Sequence, residues 1–220
     1  MTDLALLAQH LIDGHDAEVA ALTRAALDEG QAPADILERG LIAGMQVVGE
    51  RFRDNIIFVP EVLVAARAMK AGLAHLEPVL AACGIEPIGT FVIGTVKGDI
   101  HDIGKNLVGM MLKGAGFRVV DLGVNTPLAK FQAAIEEHRP DIVGMSALLT
   151  TTMGQMKVNI EAFRAAGLFG RLRVMVGGAA VSQEYAETIG AHGYGKDAPS
   201  SVSRALALLA DVKAARGATS

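Results

Sequence analysis

Apolar side chains recur at helical spacing through the first 82 residues. Leu4, Leu7, Ala8, Leu11 and Ile12 mark one face, and Val19, Leu22, Ala26 and Leu27 mark a second. Gly30 closes that stretch, and Pro33 with Asp35 opens the next, ILERGLIAGMQVVGERF. Beyond Asp54-Asn55 a fourth segment, with Pro60 near its first turn, runs through VLVAARAMKAGLAHLEPVLAA. Four amphipathic segments with short connections predict an antiparallel four-helix bundle. The stretch CGIEPIGT (83–90) is rich in Gly and Pro and poor in core residues, so it reads as a linker. The chain then divides into a helical domain over 1–84, a linker over 85–89 and a second domain over 90–220.

From Thr90 the pattern changes. TFVIGTV, RVVDLG, DIVGMSAL and RLRVMVGG are β-branched runs bounded by Gly or polar residues, and GYGKDA is a loop or short strand. Between them IGKNLVGMMLKGAGF, LAKFQAAIEEHRP, MGQMKVNIEAFRAAGL and SQEYAETIG read as helices, and SSVSRALALLADVKAA closes the chain. Buried-type strands alternating with helices predict a parallel sheet covered on both faces. With right-handed crossovers this is an α/β fold of the doubly wound, flavodoxin-like kind.

Composition narrows the function classes. Of 220 residues 51% are hydrophobic and 4% aromatic, with no Trp, so the core must be aliphatic and the chain is not of the disordered class. A net charge of −4 disfavours nucleic acid as the main partner. The one cysteine, Cys83, rules out an internal disulfide framework and fits a reducing cytoplasm. Asp3 comes too early for a signal peptide, and no apolar run is long enough to span a bilayer.

In a doubly wound sheet, ligands bind beyond the carboxyl ends of the strands. Those ends carry KGDIHDIGKN (97–106), SALLTTT (146–152), GGA (177–179) and GKDA (195–198). The first loop is no P-loop, because five residues separate Gly98 from Gly104 and Asn106 follows Lys105. It lacks the dinucleotide pattern GxGxxG. A two-metal phosphoesterase would need further carboxylates and His at the later strand ends, which carry Ser146, Thr150, Thr152, Gly177 and Gly178 instead. What remains is one imidazole, His101, oriented by Asp99 and facing small residues. With no companion ligand, a metal bound there must arrive already chelated in a cofactor. Gly104, Ser146, Gly177 and Gly178 are then expected to leave space for a bulky organic group.

At these residues the chain resembles the cobalamin-binding corrinoid proteins, above all the methyl-carrier subunits of corrinoid-dependent methyltransferase systems and the cobalamin module of methionine synthase. The family motifs D-x-H-x-x-G, S-x-L and G-G stand here as Asp99-Ile100-His101-Asp102-Ile103-Gly104, Ser146-Ala147-Leu148 and Gly177-Gly178, with GTVKGDIHDIGKN (94–106) and DLGVNTP (121–127) also typical. The resemblance implies cobalamin as cofactor (methylcobalamin and cob(I)alamin in the working cycle), bound with its own base displaced and His101 as axial cobalt ligand. It implies a nucleotide tail passing Gly104, Ser146 and the Gly177-Gly178 pair, with Gly98, Leu148, Thr150 and Ala198 as further contacts. It implies a His101–Asp99–Thr152 proton relay, Thr152 standing where methionine synthase has Ser. GMQVVGERFRDNIIFVPEVLVAARAMKAGL (44–73) is similar to the helical cap of methyl carriers. Phe52, Phe58, Val59 and Val62 match its methyl-shielding residues, Val59 replacing the usual Leu, and Glu38 matches a cap residue near the cofactor. The implied role is methyl carriage between a substrate-specific methyltransferase and an acceptor methyltransferase, with a reductive activation protein as a third partner, and no catalysis without them. A split methionine synthase subunit is the alternative. A cobalamin sensor is disfavoured by the missing Trp, and the small subunit of an adenosylcobalamin mutase by the helical cap.

Overall fold

The structure is a computed structural model that describes residues 1–217. They cluster into two compact units, one of residues 1–87 with 113–116, the other of 88–112 with the chain from 117 onward. The expected second domain extends to 220, and residues 218–220 lie outside the described residues.

The first unit is helical. Its elements are α1 (Leu4–Ile12), α2 (Asp16–Asp28), α3 (Pro33–Asp35), a π-helical stretch (Ile36–Ile42), α4 (Ala43–Arg53) and α5 (Val59–Ala82). Backbone angles stay right-handed helical through both joints at Ile36 and Ala43, so the expected third helix is one rod with a widened middle. Gly40 and Gly44 explain how it meets α1. A Cβ at Gly40 would lie 2.6 Å from Leu7 Cδ2, and one at Gly44 would lie 3.0 Å from the Ala8 carbonyl. Asp3 starts α1 by accepting the Ala5 N–H, and the Glu61 carboxylate accepts the Phe58 N–H at the start of α5. Leu7, Leu11, Val19, Ile36, Leu41, Val48, Val62 and Leu76 form the buried stripe, as their spacing requires.

The second unit alternates strand and helix: β1 (Thr90–Thr95), α6 (Ile103–Gly114), β2 (Arg118–Asp121), α7 (Leu128–His138), β3 (Ile142–Ser146), α8 (Thr150–Ala165), a 3-10 turn (Leu168–Gly170), β4 (Arg173–Gly177), α9 (Gln183–Thr188), β5 (Gly193–Gly195) and α10 (Ala198–Gly217). All four strand pairings are parallel, in the order β2-β1-β3-β4-β5. This is the flavodoxin-like order, and its switch point lies between β1 and β3. Thr95, Ser146 and Gly177 sit side by side in register, so the loops after β1, β3 and β4 leave the sheet together. One face of the sheet is filled by Val92, Val143, Val174 and Val176 against Phe131, Ile135, Ile160 and Phe163. The Phe131 and Phe163 rings meet edge-on at 6.4 Å. Among the described residues no helix is long and apolar enough to cross a membrane.

Phe131 has no exposed surface and nothing near it can refill its volume. Phe131→Ala is expected to cost the sheet unit about 3–5 kcal/mol, read as a lower urea midpoint of that unit's unfolding.

Candidate functional site

The loop after β1 turns sharply at Gly98, whose φ of +85° is left-handed, and it delivers a carboxylate into the switch point. Asp99 is fully buried. A bare carboxylate there would be prohibitive, so its donors decide whether the loop is stable. There are five. Oδ1 accepts the His101 ring Nδ1–H at 2.7 Å and the His101 backbone N–H at 3.1 Å, while Oδ2 accepts the Thr152 hydroxyl at 2.7 Å and the N–H groups of Leu148 and Leu149 at 2.8 and 3.2 Å. Burial works against the charge. The Thr152 hydroxyl, the His101 ring and the backbone N–H groups of His101 and Leu148 outweigh it, holding the carboxyl well below the usual carboxylate range.

An ionised carboxylate can only accept, so the proton between it and the imidazole sits on Nδ1. The neutral ring then carries its lone pair on Nε2, the tautomer a metal ligand needs. The His101 side chain is 45% exposed, and its carbonyl is fixed by the Thr95 hydroxyl at 2.9 Å. Thr152 has one hydroxyl proton and two acceptors within reach, Asp99 Oδ2 at 2.7 Å and the Leu149 carbonyl at 2.9 Å. His101, Asp99 and Thr152 therefore form one hydrogen-bonded chain.

No three His, Cys, Asp or Glu side chains gather to hold a metal ion among the described residues. Around His101 the surface is apolar instead. Ile103 is 79% exposed and Ile100 73%, with Leu148 and Leu149 also exposed. Asp102 and Ile103 lead into α6, and a Cβ at Gly104 would meet nothing within 4 Å. The donor set fits a metal that comes with its equatorial ligands in an organic ring, docked on apolar side chains beside one imidazole.

At Gly177 and Gly178 the reason for glycine differs from the expected open space. A Cβ at Gly177 would lie 2.8 Å from the Gly195 carbonyl, and one at Gly178, where φ is +116°, would lie 2.1 Å from the Ala147 carbonyl. The protein's own backbone fills both places. Ser146 is half-buried in the strand-end row, Thr150 is exposed at the first residue of α8, and Ala198 is buried at the first residue of α10. In the helical unit Phe58 is 60% exposed, Phe52 and Val59 are half-buried, and Glu38 is exposed in the π-helical stretch. Val62 differs, since its side chain has no exposed surface. Sequence reasoning missed Thr95, Leu149 and Asn125. The first two act through groups that periodicity does not report. Asn125 had a weak signal, since Asn before Thr-Pro suits its left-handed φ of +49°.

Two family models, each described as a B12 binding domain, match the chain at residues 89–203 and 4–77. The trimethylamine corrinoid protein 1 of Methanosarcina mazei is 44% identical over 206 residues, covering 92% of this chain and 95% of that protein. The dimethylamine corrinoid protein of Methanosarcina barkeri is 44% identical over 180 residues, covering 81% and 84%. Among solved structures, a chain of the methanol:cobalamin methyltransferase complex MtaBC from Methanosarcina barkeri superposes with a TM-score of 0.84 at 31% identity, over 93% of this chain and 78% of that one.

The glycine contrast is testable in the isolated chain. Gly178→Ala is expected to destabilise it by about 1–3 kcal/mol, whereas Gly104→Ala stays within about 1 kcal/mol of the parent. Urea unfolding of the two variants decides, and equal costs would remove the close-approach argument.

Proposed function

This chain belongs to the B12-binding domain family, and on that footing we propose that it carries a methyl group on the cobalt of a bound corrinoid between partner methyltransferases. The observation that carries the reading is the single imidazole, its tautomer set by a buried carboxylate, standing on an apolar surface with no companion ligands among the described residues. When bound, the corrinoid supplies a nucleophilic cobalt that takes up a methyl group and gives it away.

The chain's residues do the rest. His101 would offer Nε2 to the cobalt. Asp99 holds the Nδ1 proton and fixes the ring plane. Thr152 holds the second Asp99 oxygen by donating its hydroxyl hydrogen bond, so that the carboxylate would stay in place beside the ring when the corrinoid is bound. Ile100, Ile103 and Leu148 would exclude water on the His101 side once a corrinoid covers them, and Gly104 leaves open space at the start of α6 for part of that group. Gly98, Asp102, Ser146, Thr150, Gly177, Gly178 and Ala198 shape the rest of that binding surface. In the helical unit we assign Phe52, Phe58 and Val59 as apolar surface of the kind a carried methyl group needs against water, with the buried Val62 supporting the first turn of α5 and the exposed Glu38 as a further candidate contact.

Relatives named for trimethylamine and dimethylamine support a methylated amine as donor. They favour this reading over a subunit of a split methionine synthase. We assign the partners as a substrate-specific methyltransferase, an acceptor methyltransferase and a reductive activation protein that restores oxidised cobalt. The division into a cap over 1–84, a linker over 85–89 and a corrinoid domain from 90 is part of the same proposal. So is a cytoplasmic location, which the single, unpaired Cys83 supports.

Reconstitution with hydroxocobalamin is expected to give stoichiometric corrinoid. Its cobalt(II) electron paramagnetic resonance spectrum should show a coupled nitrogen that changes when histidine is labelled with nitrogen-15. His101→Gly should keep corrinoid and lose that coupling. Retained benzimidazole coupling in the wild-type protein would sink the reading.

A further inference from the structure

The segment DLGVNTP (121–127) has no part in the chemistry above, yet it is tied to the His101 loop at both ends. At the near end, Gly98 donates its N–H to Asn125 Oδ1 at 2.8 Å, and Asn125 donates its own N–H to the Asp99 carbonyl at 2.8 Å. At the far end stands Lys105, whose side chain is 1% exposed. Its ammonium donates to both oxygens of Asp121, at 2.7 and 2.6 Å, and to Asn106 Oδ1 at 2.7 Å. Asn106 passes the tie back to the loop, giving its side-chain N–H to Asp102 Oδ2 at 3.0 Å and its backbone N–H to the Asp102 carbonyl at 2.7 Å. Asp121 Oδ1 also accepts the Gly123 N–H at 2.8 Å, and the Gly123 carbonyl accepts from Thr95 at the end of β1.

The consequence follows from where these ties fall. His101 lies between Asp99 and Asp102; Asp99 is bonded directly to the neighbouring segment, and Asp102 is linked to it through Asn106 and Lys105. The Asp99 carboxylate orients the ring, while the two outer ties keep the backbone that bears the ring from moving. A buried lysine is costly unless paired, and removing its partner leaves a charge stranded. Lys105 therefore does more than fill space: it commits the first turn of α6 to the end of β2.

We propose that Asn125 and the Lys105–Asp121 pair are positioning residues for the axial ligand. They clamp the His101 loop from both sides, so that the imidazole meets the metal without reordering the loop. This rests on the reading of His101 as the ligand. The clamp itself exists in the chain without its cofactor, which allows it to be tested separately.

The variants are Lys105→Met, which keeps volume and leaves Asp121 reachable by water, and Asn125→Gly, which permits the left-handed backbone and removes the side-chain acceptor. Asn125→Asp restores an acceptor for the Gly98 N–H. In the cofactor-free full chain, amide hydrogen exchange at Gly98 and His101 is expected to speed up at least about tenfold in Lys105→Met or Asn125→Gly, with Ile160 in α8 unchanged. Asn125→Asp should return the rates toward wild type. Equal acceleration at Ile160 would mean a general loss of stability and would overturn the proposal. With hydroxocobalamin bound and reduced to cobalt(II), the share of the resonance signal coupled to histidine nitrogen should fall at least twofold in both variants at unchanged corrinoid content. An unchanged share in both overturns the positioning role. A wild-type protein with no histidine coupling overturns the ligand assignment instead, and the exchange rates still judge the clamp.

Discussion

A carboxylate cannot be buried at the end of a parallel strand unless its surroundings supply donors, and Asp99 organises the site around that demand. Its partners come from its own loop, from the segment after β3 and from the first turn of α8. The backbone N–H groups among them would otherwise need partners of their own. The N–H groups of Leu148 and of Leu149 leave the sheet with no strand to bond, and the Thr152 hydroxyl on the first turn of α8 reaches the same carboxylate oxygen. One side chain therefore closes two open backbone ends and ties the start of α8 to them. Charge is retained because hydrogen bonds to a carboxylate are stronger than neutral ones. The same retained charge sets which ring nitrogen of His101 holds a proton.

Much of this fold could be read from the chain. The alternation of β-branched runs and amphipathic segments named the first four strands and every long helix, because β1, β3 and β4 are buried and the helices are buried on one face. Gly193–Gly195 was open between loop and short strand because it has no β-branched residue. Pro33 and Gly30 punctuated the helical unit as expected. The widened π turn over Ile36–Ile42 was invisible, since the spacing of apolar residues does not distinguish it from an α-helical turn. At the site, Asp99 and His101 were legible because two residues of spacing bring a carboxylate to its neighbour's ring. Gly177 and Gly178 were legible as glycines, though the space they spare belongs to backbone, that of Gly195 in β5 for one and of Ala147 just after β3 for the other. Lys105 was not legible. A lysine on the first turn of a helix ordinarily faces water, and only the course of β2 brings Asp121 to it.

Glycine and threonine divide the labour around this loop in a way that follows from their side chains. Gly98 takes the left-handed turn that places Asp99, and an added Cβ there would lie 3.5 Å from the Thr152 methyl, ordinary contact distance. The backbone angle, and not crowding, demands glycine. Thr152 brings a methyl as well as a hydroxyl, and a β-branched side chain has few rotamers. Serine would supply the same hydrogen bond with more freedom to turn away.

The poverty of the donor set has a consequence for metal traffic in the cell. Free zinc, nickel and copper ions are drawn to places where two or more His, Cys or carboxylate ligands converge. Here an arriving ion finds one imidazole nitrogen, whose neighbouring carboxylate is already committed to five hydrogen bonds. Nothing among the described residues completes a coordination shell. Among the described residues the centre thus offers a loose ion too few ligands to compete for, whereas a metal that brings its own cage needs only the one.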